Sequence, residues 1–560
     1  MRWRHLPFYL LLIFSFWLLL WRLFDLTIIK GGYFHELSEG NRIQERVLRA
    51  ARGVIYDRHG QVLARNKPIY KISFENLISR EEALEIEARG GTEAANLEMD
   101  LAREYPWAGL LAHVVGYMGE VREEELKIKN KQSFSSNEKL KMGDFVGRTG
   151  VEEEYEEILR GVDGKELIEV DALGTKIKSL GRIEPKPGKD LFLSLDLDLQ
   201  KVAAEALAGK TGVVLVSAPI SGEILTLYSS PSFDPERVGD LRDLRDLRGE
   251  PFFNRAIAGL YPPGSTFKII TAAAGLETGK INKDTKIEDV GEIVIGPYRF
   301  PNWYWRQYGR KEGIINIVGA IKRSNDIFFY KVGEFVGIEG LEGWAKKFGL
   351  GKPLGIDLPG EAAGIIKKQR DWFLGDTYHV AIGQGDMQVT PLQMNFWTSV
   401  IANGGKLCQP HLTKDTSDGG RQARSARHDS SEVEGVGKKC KDIGLKKETI
   451  DLIKEGMREA CSPGGTGWPL FNFEIRISKS EFRKIETACK TGTAEYGDPG
   501  GKTHAWFTVF APVSASDSGN QHIKVDQVEP EISITVLVEG GGEGSSVAAP
   551  IAKKILEEWF

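Results

Sequence analysis

Apolar residues crowd the amino terminus and then thin out. Leu6 to Trp21 carries no charge. Arg22 and Asp25 interrupt the run, and Leu26-Thr27-Ile28-Ile29 closes it. The stretch from Leu6 to Ile29 is long enough to cross a bilayer, for which about 20 residues suffice. Charges near its outer end can snorkel or pair. No small-x-small cleavage site follows a short apolar core, which argues against a removable signal peptide. Arg2 and Arg4 lie ahead of the run. A positive flank stays cytoplasmic and sends the following chain outside. No second run of that length occurs, so one crossing is expected.

Beyond the run the pattern changes repeatedly. Lys30 to Arg52 is a charged juxtamembrane stretch, and alternation around Arg58-His59-Gly60-Gln61 predicts a hairpin over 53–64. Residues 79–103 are rich in Glu, Ala and Leu and read as helix broken at Gly90-Gly91. Residues 147–161 read as a capped helix ending on Gly161. Glu184-Pro-Lys-Pro-Gly-Lys189 is the best linker candidate. After it come a helix over Asp196–Leu207, strands over Gly212–Ser217 and Gly222–Tyr228, and later strands over Ala505–Ala511 and Ile532–Val538. A terminal helix over Ala548–Phe560 follows, and residues 413–439, rich in Ser, Gly, Asp and Arg, read as a solvated insertion. Helix, paired strands, a helical middle, strands and a final helix predict an α+β arrangement.

Composition narrows the function. The 560 residues suit about three or four domains. With 41% hydrophobic and 27% charged residues the chain can bury cores, which excludes a mostly disordered protein. A sequence pI near 6.1 argues against nucleic acid as the main ligand. Four cysteines, Cys408, Cys440, Cys461 and Cys489, are too few and too scattered for a disulfide scaffold. A Cys408–Cys440 bond is possible outside the cell, and Cys489 reads by default as a buried inert thiol. No C-x-x-C pair is present, which argues against structural zinc.

Three motifs carry chemistry. In Pro262-Pro263-Gly264-Ser265-Thr266-Phe267-Lys268, a turn leads into an alanine-rich helix. Ser265 would sit at its first turn, where free N–H groups favour developing negative charge. Lys268 lies one turn on, and burial would let it act as the base that a serine nucleophile needs. Ser324-Asn325-Asp326 heads an apolar helix. It reads either as a plain amino-terminal cap or as a pair, Ser324 and Asp326, pointing into a cleft as proton relay and substrate amide contact. Lys490-Thr491-Gly492-Thr493 offers a cation, hydroxyls and a glycine for close backbone approach, suited to a carboxylate and a carbonyl oxygen. Decoys exist. Ser136-x-x-Lys139, Ser135-Ser136-Asn137 and Ser518-Gly519-Asn520 lie in polar loops, and Lys210-Thr211-Gly212 reads as the start of a strand. His504 reads as a strand-end histidine, not a partner of the serine.

The ordered set Ser-x-x-Lys, Ser-x-Asp, Lys-Thr-Gly matches the signature of penicillin-binding proteins and related β-lactamases. With it, the chain resembles a class B penicillin-binding protein, a membrane-anchored D,D-transpeptidase of peptidoglycan. Arg52-Gly-Val-Ile-Tyr-Asp-Arg58 and Gly147-Arg-Thr-Gly-Val-Glu152 look like the family's pedestal motifs. Pro231-Ser-Phe-Asp-Pro235, Gly355-Ile-Asp-Leu-Pro-Gly360 and Gly383-Gln-Gly-Asp-Met-Gln-Val-Thr-Pro391 look like transpeptidase landmarks. The resemblance implies a penicillin-binding/β-lactamase-like domain over 191–560, a non-catalytic pedestal over 30–190, the anchor over 6–29 and a cytoplasmic tip over 1–5. It implies Ser265 as nucleophile, Lys268 as general base, Ser324 as relay, and Asp326 in a place usually held by Asn. Lys490, Thr491, Gly492 and Thr493 would bind the substrate, with the N–H groups of Ser265 and Thr493 as oxyanion hole. Asp326 is similar to the penicillin-binding protein 2 (elongation) group, the cell-division group being the alternative. Some of that group carry zinc held by a His and a Cys near the second motif. Asn325 stands where that Cys would be, so no metal and no cofactor is expected. The pedestal's head subdomain looks reduced, and no glycosyltransferase domain is expected. Implied partners are stem peptides, β-lactams, a SEDS-family glycan polymerase, other elongation proteins and the inner membrane. The rival readings are a β-lactamase and a non-catalytic scaffold or β-lactam sensor.

Overall fold

The computed structural model describes residues 6–72, 76–91, 94, 97–126, 140–171, 176–240, 249–366, 372–414, 439–476, 482–513 and 529–560. Nearly all of the expected insertion over 413–439 lies outside them, as do the decoys at Ser135-Ser136-Asn137, Lys139 and Ser518-Gly519-Asn520.

The described residues gather into two compact units. The first draws on Met1–Gly53, Arg65–Glu104 and Ile158–Lys189. Its long helix Leu6–Phe24 continues through a π-turn, Asp25–Ile29. Among the described residues this is the one helix long and apolar enough to span a membrane, with a mean hydropathy of 1.9. The charges that break the apolar run are paired locally: Arg22 and Lys30 reach Asp25 at 2.9 and 3.1 Å. Strand Ile43–Leu48 pairs antiparallel with Gly164–Val170, which pairs with Lys176–Ile183. Residues 79–103 are half helix only. Ser79 and Glu82 form a capping box on the helix Arg80–Arg89, and Leu97–Glu104 is a strand paired with residues 65–72. In Leu-Glu-Met-Asp-Leu the apolar residues alternate, and a strand partner in register overrides the helix-prone composition.

The second unit draws on Val54–Ala64, Tyr105–Glu157 and Asp190–Phe560. The predicted hairpin is present within it. Asp57 closes the turn by accepting from the N–H groups of His59 and Gln61 at 2.8 and 2.7 Å. The helix expected over 147–161 is split at Tyr155 into Gly150–Glu154 and Glu156–Leu159. Thr149 makes no side-chain cap there. The Tyr155 hydroxyl instead donates to buried Asp357 at 2.7 Å, a long-range bond that local pattern cannot announce.

The frame of this unit is a five-stranded sheet. Its strands are β1 (Gly212–Ser217), β2 (Ile224–Ser230), β3 (Ala488–Glu495), β4 (Thr503–Ala511) and β5 (Ile532–Val538). The order β2-β1-β5-β4-β3 is antiparallel throughout. Helices of this unit include α1 (Leu197–Ala206), α2 (Lys268–Glu277), α3 (Ile317–Arg323), α4 (Asp326–Lys347), α5 (Pro391–Ala402), α6 (Lys447–Ala460) and α7 (Ala548–Trp559). Helices α1 and α7 share a core with alternate residues of the sheet, among them Val214, Val216, Phe507, Val509, Ile534 and Val536. Helix α5 meets β1, β4 and β5. Burial on both faces explains why these strands read as near-continuous apolar runs. This is the α+β fold expected from the element order.

The seam under α5 is polar and dry. Ser217 donates to Asn395 at 2.5 Å, Asn395 donates to the Ser533 carbonyl at 3.1 Å, and Thr398 meets Thr508 at 2.8 Å. Buried polar groups of this kind must be matched, because each unmatched one costs about 1–3 kcal/mol.

The Cys408–Cys440 bond allowed from the sequence is present, and Cys489 departs from its reading as an inert thiol. Cys408 is bonded to Cys440, and Cys461, at the end of α6, is bonded to Cys489 on β3. No described cysteine is a free thiol. Cys461 and Cys489, 28 residues apart, are brought together by the fold, and their spacing does not reveal the pair.

Asn395→Ala should therefore lower stability by about 1–3 kcal/mol, because Ser217 and the Ser533 carbonyl lose a buried partner. Thermal unfolding of the detergent-solubilised chain measures this, and an unchanged midpoint would refute the seam's contribution.

Candidate active site

The serine motif folds as the sequence predicts, with one refinement. Ser265 lies on a 3-10 turn, Gly264–Phe267, that runs directly into α2. The turn is clamped from both sides. The Gly264 N–H donates to the Gly383 carbonyl at 2.8 Å, and the Trp506 indole donates to the Pro262 carbonyl at 3.0 Å. Gly492 serves close approach, as its place in Lys-Thr-Gly suggests: a Cβ there would lie 2.9 Å from the Thr266 methyl. A Cβ on Gly264, whose φ is +55°, would lie 2.9 Å from the Thr493 carbonyl oxygen. The turn and β3 are thus in backbone contact.

The second motif caps a helix and also places Ser324 and Asp326 on the cleft. Asn325 is the amino-terminal cap of α4, accepting from the Phe328 N–H at 2.9 Å. Ser324 closes α3 in the left-handed region at φ 54°, ψ 38°, a conformation that costs a non-glycine residue about 1–2 kcal/mol. That bend aims its hydroxyl inward. Ser324 Oγ accepts from Lys490 Nζ at 2.8 Å and lies 3.3 Å from Lys268 Nζ. Lys268 Nζ also donates to the Ser324 carbonyl at 2.8 Å and to Asp326 Oδ1 at 2.6 Å. Asp326 Oδ2 accepts from the Trp303 N–H at 2.8 Å. Both carboxylate oxygens are therefore engaged within the protein. The residue expected to meet a substrate amide is also the ion-pair partner of Lys268.

On β3, alternation separates two sets. Lys490, Gly492 and Ala494 are buried, whereas Thr491, Thr493 and Glu495 are partly or fully exposed. Thr491 bonds Thr466 at 2.9 Å. Ser265, Ser324, Asp326, Thr491 and Thr493 line one cleft of about 460 Å³, together with Trp303, Arg306, Tyr308, Trp468 and Glu495. Both lysines lie beneath it with no exposed surface.

Burial sets the electrostatics. Desolvation pulls Lys268 below its ordinary value, against the opposing pull of Asp326. Desolvation, then the neighbouring Lys268, pushes Lys490 well below 10.5. Two buried amines face the single carboxylate of Asp326. The cluster is thus poised to hold fewer protons than two lysines would in water. That is the requirement for an amine to take a proton from a serine near neutral pH.

Known proteins bear on this geometry. Residues 212–557 match the model of the penicillin-binding protein transpeptidase domain, and residues 74–193 match that of the penicillin-binding protein dimerisation domain. The chain belongs to the penicillin-binding protein transpeptidase family. The peptidoglycan D,D-transpeptidase MrdA of Acinetobacter baumannii is 31% identical, with 96% of this chain and 84% of that protein covered. PBP2 of Helicobacter pylori, solved in a complex with MreC, aligns with TM-score 0.73 at 27% identity over 92% of this chain and 98% of that one. A chain of a peptidoglycan synthase complex that coordinates polymerization and crosslinking aligns with TM-score 0.72 at 25% identity, covering 99% and 98%. The chain stands in the penicillin-binding protein 2 group, with the activity class of a serine-type D,D-transpeptidase.

Sequence reading misses the residues that support the motifs. Asn302, Trp303, Glu312, Arg323 and Thr466 carry no signature and are assembled by folding. His504 forms no pair with Ser265. It is buried on β4, stacked on Tyr496 with ring centroids 4.1 Å apart, and accepts from the Gly540 N–H at 3.2 Å. Burial lowers its pKa.

The lysines also yield a stability prediction. A lysine whose native pKa lies below its unfolded value binds more protons in the unfolded chain. Stability must then rise with pH between the lowered native value and the ordinary 10.5. Lys490→Met removes that dependence. Its stability advantage over the unsubstituted chain should shrink as pH rises from 7 towards about 10. Thermal midpoints across that range test this, and a pH-independent offset would contradict it.

Proposed function

We propose that Ser265 is the acylated nucleophile of peptidoglycan cross-linking and that Lys268 is its base. One observation carries the reading: Ser265 opens on a cleft above two buried lysines that share Ser324 and a single carboxylate. Lys268 takes the Ser265 proton as Oγ attacks the penultimate D-Ala carbonyl of a donor stem peptide. The N–H groups of Ser265 and Thr493 hold the oxyanion. The C–N bond breaks, and Ser324, between Lys268 and Lys490, passes a proton to the departing D-Ala amine. An acceptor amine from a neighbouring stem then attacks the ester, giving its proton back through Lys268 and releasing the cross-link. Thr491 and Thr493, which line the cleft, hold the donor carboxylate, and Lys490 supports them from beneath. No step needs a metal or cofactor.

The apolar helix Leu6–Ile29 anchors the chain once in the cytoplasmic membrane, amino terminus inside and catalytic domain outside. Disulfides at 408–440 and 461–489 accord with an oxidising compartment. Residues 30–190 form the non-catalytic pedestal and 191–560 the transpeptidase domain. The work is cell elongation and shape, beside a SEDS-family polymerase and other elongation proteins. The MreC complex of the Helicobacter relative supports that setting.

A fluorescent penicillin should label the chain one-to-one on Ser265, seen by intact mass and peptide mapping. Ser265→Ala should take no label, Lys268→Ala should lose acylation, and Lys490→Ala should slow it. Covalent labelling of the Ser265 variant would remove the assignment, and rapid turnover of a chromogenic cephalosporin would favour a β-lactamase instead.

A further inference from the structure

Behind the cleft lies a second buried constellation that the reaction scheme leaves unused. Asp289 closes the short strand Ile287–Asp289 and is 2% exposed. Its carboxylate accepts four hydrogen bonds. Oδ1 takes the Gly291 N–H at 2.8 Å, and Oδ2 takes Asn302 Nδ2 at 2.8 Å, the Glu312 N–H at 3.0 Å and Asn325 Nδ2 at 3.0 Å. Both asparagines are wholly buried, and each passes the contact onward. Asn302 Oδ1 accepts from the Asp326 N–H at 3.1 Å, and Asn325 Oδ1 caps α4. The neighbouring Trp303 grips the same motif, its N–H on Asp326 Oδ2 and its indole on the Arg323 carbonyl at 2.9 Å, one residue before Ser324.

The chemistry of an amide gives this arrangement direction. Each asparagine has a donor end and an acceptor end. An ionised carboxylate with several donors converging on it compels both NH₂ groups to face it. Both carbonyl ends are then committed to Asp326 and to α4. Without that acceptor Asn302 loses its reason to point this way, whereas Asn325 keeps Glu312 Oε2 at 3.2 Å, and a flipped Asn302 would set a donor against the Asp326 N–H. In a dry network such a mismatch propagates.

We infer that Asp289 is a positioning residue for acyl transfer: through Asn302 and Asn325 it holds Ser324 and Asp326 in place against Lys268. The inference rests on Lys268 serving as the base. Besides Asp326, the charged groups facing Lys268 are Lys490 from β3 and Glu312. Asp326 favours the protonated lysine. Loosening it therefore lowers the pH at which Lys268 becomes able to accept a proton.

The test is the rate of Ser265 acylation by a fluorescent penicillin, followed against pH on the full detergent-solubilised chain. Asp289→Asn should slow acylation roughly tenfold and move the acid limb of the profile to lower pH. The double variant Asp289→Asn with Asn302→Asp reverses the bond between these residues, setting a donor at 289 against an acceptor at 302, and should recover part of the rate, the Glu312 N–H and the Asn325 amide still lacking their acceptor. A folded Asp289→Asn chain within about twofold of the unsubstituted rate, its limb unmoved, would overturn the inference. So would a slowed rate with an unmoved limb and no recovery in the double variant, which marks mere loss of packing. Should Asp289→Asn not fold, Asn302→Ala breaks only one link and decides in its place: a shifted limb supports the inference and an unshifted one overturns it. Failure of the unsubstituted chain to label at Ser265 would sink the base assignment as well. Normal labelling with unshifted variants sinks this inference alone.

Discussion

An amine with no contact to water, held 2.6 Å from the only carboxylate it shares with a second buried amine, is the constraint on which the site depends. Burying a lysine is costly unless the charge is paired or surrendered. Here both happen in part. Desolvation acts against a proton on Lys268, with Asp326 and Glu312 supporting one, and desolvation and Lys268 act against a proton on Lys490. That balance requires three chain segments to converge with little freedom: the turn into α2, the junction of α3 and α4, and strand β3.

Each segment is held by residues outside its own motif as well as within it. The serine turn is braced by Gly383 and Trp506 and pressed against β3, where glycine is required at 492. The α3–α4 junction holds Ser324 in a left-handed conformation, stabilised by the cap at Asn325 and by Trp303. Strand β3 is fastened to the end of α6 by the Cys461–Cys489 bond, next to Lys490 in sequence. Catalytic groups on sheet and helix positions locked by neighbours lose little freedom on binding, which is what a preorganised acyl-transfer site needs.

Asn325 joins these themes. It stands where some members of the group place a metal-binding cysteine, and here its side chain caps a helix while its amide nitrogen reaches Asp289 and Glu312. These hydrogen bonds order this corner of the cleft. Membership of the family says what chemistry the cleft performs, while these contacts say how this particular chain holds its groups in position.

The apolar run at Leu6–Ile29, the alternating strands of the central sheet and the three ordered motifs were legible in the sequence. Each is a local pattern, and local pattern reports burial period, turn chemistry and the spacing of reactive side chains. Ser265, Lys268, Ser324, Asp326, Lys490, Thr491 and Thr493 could accordingly be named before any coordinates. What only the tertiary structure decided was everything set by partners far apart in the chain. Residues 97–104 became strand because residues 65–72 offered a ladder. Tyr155, at the break between two short helices, bonds Asp357, 202 residues away. Four scattered cysteines paired across folded segments. Asp326 proved to be the ion-pair partner of Lys268 because folding removed water from both. The energies that decide such choices, desolvation and long-range hydrogen bonding, exist only once the chain has closed around the groups concerned.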